Sequence, residues 1–165
     1  MTHAANKPDL CRIGERAFTE VLDVLLSLPV TVRNSASHST RSGVIDQITS
    51  RVFLSGPHLS GSVHVQFPQA FVAHAVRLLA GLDGTKGDVN AVQDDAAGEL
   101  ANMVAGRVAA QLAADGYACT LGTPSVFRGA ELPVETQPGA DRGRTDLICE
   151  GHCLALELRC HYANP

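Results

Sequence analysis

The spacing of apolar residues changes period along this chain, and that change limits the folds open to it. Leu10, Ile13, Ala17, Phe18, Val21, Leu22, Leu25 and Leu28 recur at intervals of three and four, one stripe of a helix that Pro29 ends. In GSVHVQF (61–67), Val63, Val65 and Phe67 alternate with Ser62, His64 and Gln66, the pattern of a strand with one buried face. VIDQITSRVFL (44–54) is rich in β-branched residues, and SGPHLSG between the two runs has the Gly, Pro and Ser of a hairpin connection. Helical spacing returns after Pro68 in QAFVAHAVRLLAG, to Gly81, and again in DDAAGELANMVAGRVAAQLAADG (94–116). Asn90 with Gln93 resembles a capping box at the start of that last helix, and Gly116 is a left-handed stop at its end. YACTLGTPSVFRG, a segment around ELPVETQP and TDLICEGHCLALELRCHY follow, the last reading as two strands broken near Gly151. TVRNSASHSTRSG suits an edge strand or a loop, and DGTKGD (83–88) a loop. Helix, strands, helix, helix, strands is the order of an α+β sandwich of sheet and helices.

Composition narrows the function classes. After a loose lead-in (1–9), residues 10–162 suit one domain with a full core, because 45% of the chain is hydrophobic and only 18% charged. Against 17 acidic residues stand 13 basic ones, net −4, which argues against a nucleic-acid binder working by phosphate neutralisation. The apolar stretch VLLSLPV is too short to span a bilayer, and MTHAANKPDLCRIGER lacks the apolar core of a signal peptide. The expectation is a cytoplasmic protein with no membrane or nucleic-acid partner, its five cysteines reduced.

The helix at 94–116 carries an unusual surface. At roughly 100° per residue, Asp95, Asn102 and Gly106 fall within about 60° of Glu99, with Ala110 and Ala113 continuing the face. Ala97, Leu100, Ala101, Val104, Val108 and Leu112 make the opposite, apolar arc that must bury against a sheet. A solvated helix face normally carries long charged residues. Here Glu99 and Asn102 stand among glycine and alanine, which suits close docking of another surface. Periodicity alone leaves that surface open: a second helix, a dimer contact or a separate partner.

The stretch resembles the CheC/CheX-type phosphatases of bacterial chemotaxis, whose signature is Asp-x3-Glu-x2-Asn in a long helix. Here it reads Asp95-AAG-Glu99-LA-Asn102, followed by MVAG. GVIDQITSRVFLSGPHLSGSVHVQFP resembles the family's hairpin before its second helix. YACTLGTPSVFRG, with its Leu-x2-Pro, resembles the segment after the motif helix. The resemblance implies an α+β fold of an antiparallel sheet and three helices. Its implied activity is hydrolysis of the phospho-aspartate of a CheY-like receiver domain, in chemotaxis or related two-component signalling. It further implies that Asn102 orients the attacking water and Glu99 pairs with the receiver's active-site lysine. Asp95, Gly98, Gly106 and Ala110 would then form the partner-binding surface. The chain would need no metal of its own, since the Mg2+ of this reaction belongs to the receiver. A carboxamide suits position 102 because its NH2 donates and its C=O accepts, without setting negative charge beside the phosphoryl oxygens.

GERAF (14–18) echoes GELAN (98–102), so the second half reads as a diverged copy of the first, although chance also produces so short a match. Glu15 is retained but Phe18 stands in place of asparagine, so that copy is expected to be silent. One active helix resembles CheX, usually a homodimer, more than the two-motif CheC. A receiver-binding or scaffolding protein without turnover is the alternative. Cys149, His152, Cys153, Cys160 and His161 lie close in sequence, but Cys-x3-Cys without a second pair is poor zinc spacing, and no metal site is expected.

Overall fold

The computed structural model describes residues 7–33, 46–80, 87–129 and 138–163. Helix α1 (Leu10–Leu26) opens on Asp9, whose carboxylate accepts from the Arg12 N–H at 3.1 Å. It buries Leu10, Ile13, Ala17, Phe18, Val21, Leu22 and Leu26, the stripe anticipated from spacing. It stops two residues before Leu28: Ser27 takes the left-handed conformation (φ 52°) and its N–H bonds the Asp23 carbonyl at 2.9 Å. The short edge strand β1 (Val30–Arg33) follows; the rest of the polar TVRNSASHSTRSG segment lies outside the described residues.

β2 (Gln47–Ser55) and β3 (Leu59–Pro68) form the expected hairpin, closed by a Gly56 N–H to Leu59 carbonyl bond of 2.8 Å. Pro68 stays in the strand opposite Gln47, and α2 (Gln69–Ala80) begins one residue later. α3 (Val89–Ala114) carries the Glu-x2-Asn motif. β4 (Thr120–Leu121) and β5 (Ser125–Arg128) both pair with β2. β6 (Asp141–Cys149) and β7 (His152–Tyr162) form a second hairpin. Its turn, Glu150–Gly151, has positive φ at both residues (50° and 76°), the geometry whose twist matches the strands.

All the strands join one antiparallel sheet, ordered β1-β6-β7-β3-β2-β4, with β5 also on β2. With the three helices this is the expected α+β class. The order is symmetric about the central β3–β7 pair: each half of the chain supplies one hairpin and lends its edge strand to the hairpin of the other half. The helices are exchanged too, α1 packing on β6 and β7 and α3 on β2 and β3. That arrangement fits the repeat suggested by GERAF and GELAN. Between the layers Phe18 meets Phe67 edge-on at 6.1 Å, and Phe67 stacks on Phe71 at 6.0 Å.

Candidate functional site

The site is one face of α3, held in place from both ends. At its start the Asp88 carboxylate accepts from the Asn90 N–H at 2.9 Å, so Asp88 is the cap. The capping box expected from Asn90 and Gln93 does not form, because Gln93 is buried and turned to Arg128 at 3.4 Å. Arg128 of β5 also reaches Asp94 (Nε to Oδ1, 2.9 Å) and the Asn90 carbonyl (3.0 Å), tying the first turns to the sheet edge. At the far end Gly116 has φ 93°, and the Tyr117 N–H bonds the Leu112 carbonyl at 2.8 Å. Ala97, Leu100, Ala101, Val104, Val108 and Leu112 are all buried, so the apolar arc faces inward as its spacing requires.

With the inward face fixed, Asp95 and Glu99 are exposed and Asn102 is half-buried beside them. Gly106 continues the face, and a Cβ added there would meet nothing within 4 Å. Ala110, a turn later, is exposed. Gly98 departs from the expected surface: it is buried, and its absent Cβ points at Val126 Cγ2 (3.6 Å) and Pro124 Cβ (3.8 Å). The segment that reaches it lies some way along the chain, and its smallness serves packing against that segment. Asp94 and Asp95 separate as cleanly. Asp94 is bound to Arg128 at 2.8 Å, whereas the side chains of Asp95, Glu99 and Asn102 make no hydrogen bond or ion pair among the described residues. In the first half, Glu15 is exposed but Phe18 lies wholly in the core, so no amide is offered there.

Two residues of the same helix that sequence reasoning left out are Met103, 39% exposed, and Arg107. The signal was present in their spacing, since 99, 103 and 107 follow one another at one turn.

The C-terminal cysteines and histidines are dispersed. Cys149 and Cys160 are buried, Cys153 is exposed, and His152 lies edge-on to the Phe71 ring at 5.9 Å. Burial pushes the Cys160 thiol up to about 11, and burial, with Glu150 nearby, raises that of Cys149. A protonated, enclosed thiol is a poor metal ligand and a poor nucleophile. Among the described residues no group of three or more His, Cys, Asp or Glu side chains converges on a common point. Nor is any described helix long and apolar enough to cross a membrane.

The chain is thus an α+β domain whose longest helix presents a carboxylate and a carboxamide that make no hydrogen bond or ion pair among the described residues. The family model described as "Chemotaxis phosphatase CheX" matches residues 48–147, and the chain belongs to that family. Among solved structures it is similar to the chemotaxis protein CheX from Vibrio vulnificus, at 16% identity over 97% of this chain and 100% of that one, TM-score 0.75. A chemotaxis protein CheX from Desulfovibrio desulfuricans aligns at 20% identity over 93% of this chain and 100% of that one, TM-score 0.68. The CheX–CheY–BeF3–Mg2+ complex from Borrelia burgdorferi aligns at 14% identity over 94% and 99%, TM-score 0.68. No curated protein sequence matches significantly.

Proposed function

We propose that this protein hydrolyses the phospho-aspartate of a CheY-like receiver domain, with Asn102 positioning the attacking water and Glu99 fixing the docked receiver. The observation that carries the reading is the state of those two side chains. They stand three residues apart on the outward face of a buried-backed helix, with no hydrogen bond or ion pair among the described residues. Unspent polar groups on a rigid element are available to a partner at little reorganisation cost. Family membership supports the reading, as does the Borrelia burgdorferi complex, in which a CheX is captured with CheY, Mg2+ and beryllofluoride, a stand-in for a phosphoryl group.

The chemistry asks for little beyond geometry. The water oxygen attacks phosphorus, the bond from phosphorus to the aspartyl oxygen breaks, and the products are inorganic phosphate and the receiver's carboxylate. The transition state is loose, so the protein's task is to hold water in line with the leaving oxygen. The Asn102 carbonyl accepts a hydrogen bond from that water, and its NH2 is free to donate to a phosphoryl oxygen. Glu99 carries the negative charge that meets the receiver's active-site lysine, a charge-assisted bond worth roughly 1.5–3 kcal/mol. The receiver would supply the Mg2+ of this reaction, whose charge would offset that of the phosphoryl oxygens, and no residue of this chain is asked to hold it. Asp95, Gly106 and Ala110 complete the contact surface. The same reading makes residues 10–162 one domain and the protein a cytoplasmic homodimer in chemotaxis or related two-component signalling.

The test follows the decay of a receiver phosphorylated by a small-molecule phosphodonor. Asn102→Ala should slow catalysed decay by on the order of 10² or more, the usual effect of removing one well-placed polar group. Binding to the beryllofluoride-loaded receiver should change little. Unaltered decay in that variant would refute the mechanism. If the wild-type chain binds the receiver without hastening its decay, it is a scaffold on the same fold.

A further inference from the structure

Next to the motif, α1 and α3 diverge and leave a groove of about 340 Å³. From α1 it is lined by Glu20, Val21 and Val24; from α3 by Met103, Gly106, Arg107 and Ala110. Its α3 wall starts at Met103, the residue after Asn102, and runs about 10 Å along the helix axis to Ala110.

Its chemistry is uneven in a way that selects an occupant. The floor is apolar and open: Val24 is 70% exposed and Met103 39%. Glu20 on one wall is already compensated, because Arg16 Nε bonds it at 2.9 Å. Arg107 on the other wall has no ion-pair or hydrogen-bond partner among the described residues. The groove therefore presents apolar surface beside one uncompensated cation.

Size decides that the occupant is the receiver itself. A stable protein contact covers roughly 800 Å² on each partner, many times what the Glu99–Asn102 turn offers. A receiver seated on that turn must lay the rest of its contact surface over neighbouring elements, and the groove is the continuation of the same helix face. We infer that this groove is a second docking subsite for the receiver. It takes an apolar side chain on Val24 and Met103 with an acidic side chain against Arg107, and so sets which receivers are chosen. The inference rests on the phosphatase reading and adds to it a division of labour. Glu99 and Asn102 meet groups common to receivers, while the groove reads a surface on which they differ. Met103, flexible and polarisable, lets the floor fit more than one side chain.

The experiment measures the catalysed decay of several CheY-like receiver domains, each phosphorylated with acetyl phosphate, over a range of receiver concentrations. Arg107→Glu and Val24→Lys alter exposed positions, and thermal unfolding checks that both variants fold. Each should raise KM by about tenfold or more with kcat within about twofold, whereas Asn102→Ala acts on kcat. The wild-type KM should rise with salt, and Arg107→Gln should flatten that dependence. The ranking of receivers should change in the charge-reversed variant. KM values within twofold of wild type in both variants, with Asn102→Ala inactive, would overturn the groove and leave the phosphatase standing. A change in self-association by sedimentation velocity without a change in KM would show that the groove holds a second copy, which also overturns it. A wild-type chain that speeds no receiver's decay removes both readings at once.

Discussion

Gly106 stands in the middle of the 26-residue α3, where glycine costs roughly 0.5–1 kcal/mol relative to alanine. A methyl group added there would meet nothing within 4 Å, so no steric term offsets the gain. Gly106→Ala should therefore stabilise the protein by about 0.5–1 kcal/mol, or roughly 1–4 °C in Tm for a chain of this length. Gly14, in α1, is the internal control. Its Cβ would lie 2.6 Å from Leu156 Cδ2, inside a fully buried core, so Leu156 must move. The cost of overpacking, about 1–3 kcal/mol, exceeds the same propensity gain, and Gly14→Ala should unfold at lower temperature than wild type. Thermal unfolding by far-ultraviolet circular dichroism orders the three proteins: Gly106→Ala above wild type, Gly14→Ala below. Gly106→Trp, with folding checked in the same thermal scan, should raise KM for the receiver by about tenfold by filling the proposed docking surface. A lower Tm for Gly106→Ala, or equal shifts at positions 106 and 14, would refute the reasoning. It would mean that Gly106 packs against something and is not kept small for a partner.

Asp94→Ala should cost about 1 kcal/mol in urea denaturation, by breaking the partly exposed clamp to Arg128, while Asp95→Ala stays within about 0.5 kcal/mol. Exposed Cys11 and Cys153 should react quickly with a thiol reagent at neutral pH, with Cys149 and Cys160 reacting only on unfolding; mass spectrometry of labelled peptides reads the order. The Cys160 thiol ionises near 11 when folded against an ordinary 9.0, so between those values the unfolded chain has lost a proton that the folded chain keeps. Stability should then fall as pH rises from 9 to 11, by at most about 3 kcal/mol, and Cys160→Ala should flatten that slope; Tyr162, raised chiefly by burial, acts in the same sense.

Much of this was legible in the chain because burial on one side leaves a periodic trace. The α1 stripe, the alternation in β3 and the inward arc of α3 each follow from local spacing, and so does the outward placement of Asp95, Glu99 and Asn102. What escaped depends on residues distant in sequence. Gly98 sits at the edge of the outward face by angle alone. It is buried because Val126 of β5, and Pro124 just before that strand, arrive there from later in the chain. Gln93 fits a cap by spacing but is claimed by Arg128, and the groove needs Val24 and Met103 brought together from two helices. The helix start was misplaced because Asp88 competes for the same amide that a capping box would use.

The exchange of edge strands and helices between the two halves has a consequence for how the molecule can be taken apart. α3, which carries every proposed catalytic group, rests on a hairpin made by the other half of the chain, and α1 rests on the hairpin that follows α3. Each helix finds most of its sheet support in the other half. A cut between α2 and α3 should therefore yield two fragments that regain structure as a complementing pair, since it parts the motif helix from β2 and β3. The contacts that assemble it are long-range in sequence, and the chain must close most of its length before the Glu99–Asn102 face exists.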